Sequence, residues 1–222
     1  MRTQFTIAVS LLAITLFSIS CTASSQGRSS RNFDTPVVSS GDSRPQPATI
    51  ADPPTLNLDV SVDAAYAAIP HRRTAMNFAA SNMPDQDKRF LAAVFHVIDQ
   101  AIRLRVTAYQ KSEKGQLGDA QFADFDTLID YLQNAEAPTA LSSYKARVVQ
   151  ALSDQKAYFQ EWREQGQEFQ YGTPQTLSTH AKVQSASSAL REAYGILMEL
   201  YPSEGELNKA AFFDYHCALD FV

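Results

Sequence analysis

Apolar residues recur with the period of an α-helix from residue 84 to the end of the chain, and this pattern constrains the fold more than any other feature. After Pro84 the recurrence has steps of three and four residues, which place the side chains on one helix face. No stretch alternates apolar and polar residues for long enough to indicate a strand. The sequence therefore predicts an all-α protein, and the recurring residues of this first long helix are Leu91, Val94, Phe95, Ile98, Ala101, Ile102, Ala108 and Tyr109.

Prolines and a capping pattern mark where the helices begin. Pro84, Pro138 and Pro174 are placed at helix starts, where a missing backbone N–H leaves no hydrogen bond unmade. The helix from Pro174 is predicted to continue to Tyr201. The last helix is predicted to open with a capping box at 203–206, because a Ser there is followed three residues later by a Glu.

The predicted helices are long enough to form a bundle. Three of them have roughly 25–30 residues and are joined by short breaks, which favours antiparallel up-and-down packing. Apolar residues make up 45% of the 222 residues, so the chain has enough of them to bury a core without disulfides. We expect an antiparallel helical bundle of about 5–6 helices in residues 56–222.

The first 20 residues have the composition of a secretory signal peptide. Arg2 supplies a positive start, the apolar run FTIAVSLLAITLF follows, and mostly small residues occupy 18–23. The run is too short for a membrane span, which needs about 20 residues. Residues 1–20 are therefore predicted to direct export and to be removed.

The run ends in Ser-Ile-Ser-Cys at residues 18–21, which resembles the lipobox of bacterial lipoproteins. The resemblance implies that Cys21 becomes the mature N-terminus, receives the lipid and anchors the protein in the cell envelope. Thr22, in place of Asp, implies sorting to the outer membrane, facing the periplasm. Ser18 departs from the pattern, which usually has Leu there, and Ser18 and Ser20 also suit ordinary signal peptidase. The alternative is cleavage after Ser20 without a lipid, which would give a secreted or soluble periplasmic protein.

Residues 21–55 are rich in Ser, Pro and Thr and poor in apolar residues, so a disordered tether is predicted there. A coil of 34 residues spans roughly 30–35 Å, enough to hold a domain clear of a membrane. The other cysteine, Cys217, lies in an apolar helical stretch, which disfavours a disulfide with Cys21.

No motif in the chain names a reaction. No Glu stands three residues before any of the four histidines, and no CxxCH, HExxH, phosphate-loop or dinucleotide-binding pattern is present. We therefore predict no catalytic residues, no metal ligands and no cofactor, and the sequence leans away from an enzyme. The net charge of −5 argues against nucleic acid as a partner.

One basic cluster is a candidate anion or ligand site. His71, Arg72 and Arg73 follow a helix-ending Pro, and Arg105 on the first long helix lies close enough to its apolar face to join them. Guanidinium groups bind carboxylates and phosphates in a two-pronged geometry. The alternative is that Arg72 and Arg73 are solvated loop charges and that Arg105 pairs with an acid.

A weaker polar cluster lies on the first long helix. His96, Asp99 and Arg103 share one face at helical spacing, which suits a small polar site or an ordinary solvent-facing row. Tyr158 and Phe213 fall off the apolar stripes and are candidates for a groove that takes an apolar or peptide ligand.

Three functions remain open on these observations. The first is an envelope-anchored helical bundle that binds a partner protein or acts as a scaffold. The second is a bundle that binds a small ligand, an anion or a metal, and the third is an envelope hydrolase. The expected partners are the membrane, through the lipid, and an envelope protein or a small ligand.

Overall fold

The computed structural model describes residues 50–69, 71–166 and 172–221. These residues contain no strand, and the predicted all-α antiparallel bundle is confirmed. Predictions that fall on residues 1–49, including the signal peptide, Cys21 and most of the tether, lie outside the described residues. The α-helices are α1 (Val62–Ala68), α2 (Asp85–Glu113), α3 (Asp119–Asn134), α4 (Ser142–Gln165), α5 (Pro174–Thr179), α6 (Ala181–Leu200) and α7 (Glu206–Leu219).

The helix α2 is the central element of the bundle. The helices α1, α3, α4 and α7 all pack against it. Its buried residues therefore extend beyond the single apolar face predicted from the sequence, and Val97, Leu104 and Val106 are buried as well. Among the described residues, no helix is both long and apolar enough to cross a bilayer.

The helices α3, α4, α6 and α7 complete the core. The helix α4 packs on α3 and on α6, and α6 packs on α7. The apolar faces of α3 and α4 are buried in this core. Tyr158 was placed off the stripe by the sequence pattern, and that prediction is wrong, because its ring is fully buried among Phe159, Trp162 and Phe221.

The segment predicted as one helix from Pro174 to Tyr201 is broken at His180. The backbone of His180 is extended, with φ −69° and ψ 128°, so α5 ends before it and α6 begins after it. Its Nδ1 accepts a hydrogen bond from the backbone N–H of Lys182 at 3.2 Å, which caps α6.

The last helix begins later than the capping box predicts. The N-cap of α7 is Gly205, without a side-chain cap, and Ser203 is not in that role. Glu204 is instead buried and accepts hydrogen bonds from Ser81 and from the backbone N–H of Asn82. Leu207, in the first turn of α7, is 57% exposed.

The packed chain begins before residue 56. Ile50 packs against the core, and the hydroxyl of Tyr131 donates a hydrogen bond to the carbonyl of Ala51 at 2.7 Å. Leu56 is buried, and its backbone N–H donates to the side chain of Gln100 at 3.1 Å. Residues 50–55, which the composition assigns to the tether, therefore contact the bundle.

Candidate functional site

The polar cluster of α2 holds the N-terminal segment of the chain. Arg103 donates hydrogen bonds to the carbonyls of Val60 at 2.6 Å, Leu58 at 2.9 Å and Leu56 at 3.3 Å. The ring of His96 contacts the carbonyl of Pro54 at 3.2 Å. This face of α2 is neither an open polar site nor a solvent-facing row, because residues 54–60 cover it. This extended segment leads into α1.

Asp99, the third member of that cluster, binds Arg73. The guanidinium of Arg73 donates to Asp99 at 2.6 Å, and the hydroxyl of Tyr66 donates to the same carboxylate at 3.2 Å. Burial and this carboxylate together raise the pKa of Tyr66. Arg72 likewise pairs with Asp214 at 3.2 Å. Arg72 and Arg73 are therefore ion-paired with acids of α2 and α7 and do not join an anion site.

His71 and Arg105 do come together, in a cavity of about 570 Å³ beside α2. The floor of the cavity is the part of α2 from Arg105 to Glu113. This part of the helix is about 12 Å long, at 1.5 Å per residue. The floor residues are Arg105, Val106, Tyr109, Gln110 and Glu113. The walls are Ala68, Ile69 and His71 on one side and Leu177, Asp220 and Phe221 on the other.

Arg105 closes the inner end of the cavity and caps α7. Its guanidinium is buried and donates hydrogen bonds to the carbonyls of Ala218, at 2.7 Å, and Asp220. The negative end of the α7 helix dipole also stabilises a cation at this place. The guanidinium lies over the ring of Phe221, 5.3 Å from its centroid. Burial lowers the pKa of Arg105 to about 10, against the opposing charge of Asp220, so it stays charged at pH 7.

His71 offers an unoccupied and uncharged polar group. Its imidazole makes no hydrogen bond with any residue that the structure describes. Burial and the charge of Arg105 lower its pKa, and Asp214 and Asp220 oppose that shift. The ring is therefore mostly neutral at pH 7 and has one donor and one acceptor.

A close approach at Gly172 fixes Tyr109 in the floor of the cavity. The hydroxyl of Tyr109 donates to the carbonyl of Gly172 at 2.8 Å, and the N–H of Gly172 donates to the hydroxyl of Tyr158 at 3.0 Å. Gly172 has φ +85°, and a Cβ there would meet Trp162 at 2.6 Å. A side chain at this position would displace the rings of Trp162 and Tyr109, so a glycine is required here to keep Tyr109 in its place.

The four histidines lie in separate surroundings. His96 contacts the N-terminal segment, His180 caps α6 and lies 3.2 Å from a carboxylate oxygen of Glu161, and His216 is buried in the core. No group of three His, Cys, Asp or Glu within the described ranges is placed to hold a metal ion.

A second, shallower depression lies between α6 and α7. It has about 250 Å³ and is lined by Tyr194, Phe213 and Cys217, among others. The ring of Phe213 is 52% exposed and contacts that of Tyr194 edge-on, with 5.8 Å between centroids. This exposure agrees with the prediction that Phe213 lies off the apolar stripe.

Several cavity residues were missed by the sequence analysis. Tyr109 and Glu113 follow Arg105 at steps of four residues, so helical spacing alone was a usable signal for that face. Asp220 and Phe221 had no such signal, because they reach the cavity only through the packing of α7 on α2.

The fold and the cavity define the class to which this chain belongs, an all-α bundle with a ligand-sized cavity beside its central helix. Comparison with protein-family models, with curated proteins and with solved structures gives no match at any of the three levels.

Proposed function

We propose that this chain is an exported, envelope-anchored binding protein that takes up a small ligand in the cavity along α2. The cavity is the observation that carries the proposal. Its volume of about 570 Å³ falls within the range of roughly 300–1,000 Å³ that is typical of small-molecule sites. Its lining is mainly apolar with a small number of polar groups, which is typical of such sites.

The sequence of residues 1–55 supports the proposed location in the cell envelope. The signal-peptide composition and the Ser-Ile-Ser-Cys sequence support export and a lipid on Cys21, facing the periplasm from the outer membrane. Cleavage after Ser20 without a lipid is the alternative, and it leaves the binding function unchanged.

A partner-binding or scaffolding role is the second candidate, and the outer face of α7 favours it. Leu207 and Phe213 expose 57% and 52% of their surface on that helix, and Phe213 lines the depression shared with α6. Large apolar side chains that stay exposed mark docking surfaces when they are contiguous. The α2 cavity is the stronger basis, because it encloses a volume and holds an unoccupied polar group.

The substitution Cys21→Ala tests the anchor. The lipid would be lost, so we expect the mature protein to leave the membrane fraction or its maturation to stop. Cys217→Ala is the matched control, because Cys217 lies in the folded domain and is a free thiol, and it should fractionate as the wild type does. Unchanged fractionation of Cys21→Ala, with no lipid on the mature N-terminus by mass spectrometry, would refute lipidation.

Blocking the cavity tests the binding site. Ala68 is exposed, ends α1 and lines the cavity, whereas its neighbour Ala67 is exposed and does not line it. We expect Ala68→Trp to weaken binding of the fluorescent probe N-phenyl-1-naphthylamine by about tenfold or more, because the indole occupies the space of the ligand. Ala67→Trp should bind as the wild type does. Equal probe binding by the two variants would contradict the cavity as the site.

A further inference from the structure

The charged groups of the α2 cavity are already engaged with the protein. The guanidinium of Arg105 donates hydrogen bonds to the carbonyls of Ala218 and Asp220 and lies over the ring of Phe221. The carboxylate of Asp220 accepts a hydrogen bond from the hydroxyl of Ser187. A charged ligand would have to compete with these contacts, because an ionic group brought into a cavity needs a partner of its own.

The signs of these charges also oppose each other. At the inner end the positive charge of Arg105 faces the negative charge of Asp220, and at the outer end Glu113 adds a further negative charge. A bound carboxylate or phosphate would therefore meet two carboxylates and one guanidinium. A bound ammonium would meet the buried guanidinium of Arg105 at the inner end, while the exposed Glu113 at the outer end is screened by water.

The polar groups that remain for a ligand are uncharged ones. The imidazole of His71 and the carboxamide of Gln110 line the cavity, and neither side chain makes a hydrogen bond with any described residue. Each supplies one or more donors and an acceptor. The cavity is also lined by Val106, Tyr109 and Phe221, which present apolar and aromatic surface.

We propose that the α2 cavity selects an uncharged, mainly apolar small molecule that carries a hydroxyl, carbonyl or amide group and hydrogen-bonds His71 and Gln110. This inference rests on the proposed function, because it names the ligand class of the same cavity. The complementarity is of two kinds: the apolar body of the ligand packs on Val106, Tyr109 and Phe221, and its neutral polar groups meet the side chains of His71 and Gln110.

Four probes with one naphthalene body test the selection by charge. They are 1-naphthylmethanol, 1-methylnaphthalene, 1-naphthylacetate and 1-naphthylmethylammonium, each measured by displacement of N-phenyl-1-naphthylamine from the wild-type mature protein at pH 7.5. We expect the alcohol to bind about tenfold more tightly than the carboxylate or the ammonium, because neither ion finds an unengaged partner in the cavity. Tighter or equal binding of either ion would overturn the inference.

Substitutions of the two neutral groups test the hydrogen bonds. His71→Leu and Gln110→Leu should each reduce the preference for the alcohol over 1-methylnaphthalene by about threefold to tenfold, while binding of the hydrocarbon stays within about twofold. Gln116→Leu, a surface residue after α2 that does not line the cavity, should keep the wild-type preference. An unchanged preference in both cavity variants would overturn the proposed hydrogen bonds.

The two proposals fail in different ways. If Ala68→Trp and Ala67→Trp bind the fluorescent probe equally, the cavity is not the site and the proposed function fails. If Ala68→Trp blocks binding and the carboxylate is nevertheless the best of the four probes, the site stands and its assignment to uncharged ligands is wrong.

Discussion

His216 lies in the core, where its contacts with described residues comprise one side-chain hydrogen bond and no ion pair. Its Nδ1 donates to the carbonyl of Phe212 at 2.5 Å, and the ring meets Tyr144 edge-on with 5.6 Å between centroids. Its Nε2 has no hydrogen-bond partner in the described part of the chain. Burial lowers the pKa of His216 from 6.5 to about 4, so the fold holds this imidazole in its neutral form.

This lowered pKa predicts a loss of stability in acid. The unfolded chain takes up the proton near pH 6.5 and the folded chain only near pH 4, so the free energy of unfolding falls as the pH drops between these values. The contribution between pH 7 and pH 4.5 is on the order of 2–3 kcal/mol, since one pKa unit corresponds to roughly 1.4 kcal/mol. We expect His216→Leu to remove most of that contribution in urea unfolding at the two pH values.

The neighbouring residue supplies the control for this measurement. Burial raises the pKa of the Cys217 thiol, so it does not titrate between pH 4.5 and pH 7. Cys217→Ala should therefore lose as much stability in acid as the wild type. The same acid loss in His216→Leu and in the wild type would show that another group is responsible.

Individual residues were predictable from the sequence only where their own neighbours decide their role. His71 and Arg105 could be named because basic residues are unusual in an acidic domain, and both line the cavity. The pairing of Arg72 and Arg73 could not be foreseen, because their acids come from other helices, 142 and 26 residues away in the chain. A charge pattern shows which residues are ionic but not which opposite charge the fold brings to them.

At the scale of the elements, the extended segment before α1 is held to α2 by one side chain above all. Arg103 donates to three backbone carbonyls between residues 56 and 60. The segment leads into α1, whose last residue Ala68 forms part of the cavity wall. The position of the wall therefore depends on a contact made at the opposite end of α1.

Removing the guanidinium of Arg103 should release the extended segment before α1 from α2. We expect Arg103→Met to lower the free energy of unfolding by about 2–3 kcal/mol, because hydrogen bonds from a charged group are lost and three carbonyls are left to find water. Hydrogen exchange should become faster in residues 56–69 and stay unchanged in α3 and α4. Binding of N-phenyl-1-naphthylamine should weaken as well, since the cavity wall moves with α1.

Arg147→Met is the matched control for the loss of a guanidinium. Arg147 forms an ion pair with Glu192 at 2.8 Å, and both side chains are well exposed to solvent. Such a pair contributes about 1 kcal/mol or less. Equal losses of stability in the two variants would contradict the clamp assigned to Arg103.

Helix starts were easier to predict than interruptions. The starts near Pro84 and Pro174 follow from proline chemistry, which is local. The break at His180 depends on a cap between its own side chain and Lys182, and on Glu161 of α4, which lies near it only in the folded state. The late start of α7 also accompanies contacts between distant parts of the chain, because Glu204, just before its N-cap, is held by the loop before α2.

At the scale of the whole molecule, the cavity is built from distant parts of the chain. Residues 68–71, the second half of α2, Leu177 and the last residues of α7 meet around it. The helical periodicity predicts the bundle, but it does not indicate how these parts are oriented relative to one another. The all-α class was therefore accessible from the sequence, whereas the cavity required the placement of α1, α5 and α7 around it to be known.

The extent of the folded unit gives the last prediction. The packed residues begin at Ile50, and Leu56 is buried against the bundle. A chain that starts at residue 50 should therefore keep the free energy of unfolding of the mature chain that starts at residue 21, because it keeps every core contact of the described residues. A chain that starts at Ser61 retains the N-cap of α1 but lacks Leu56 and the carbonyls that Arg103 binds. We expect it to lose at least about 3 kcal/mol, since burial of one Leu side chain alone contributes about 2 kcal/mol.

Urea unfolding of the three chains, followed by circular dichroism, measures these differences at one pH and one protein concentration. The slope with denaturant should be the same for the chains that start at 21 and 50, because it reports the surface exposed on unfolding and both chains contain the same packed core. A lower midpoint for the chain that starts at 50 would mean that residues 21–49 add contacts to the fold, and the tether assigned to them would then be wrong. Equal midpoints for starts at 50 and 61 would instead return the boundary to the neighbourhood of residue 56 or later, and would remove the basis for the Arg103 clamp.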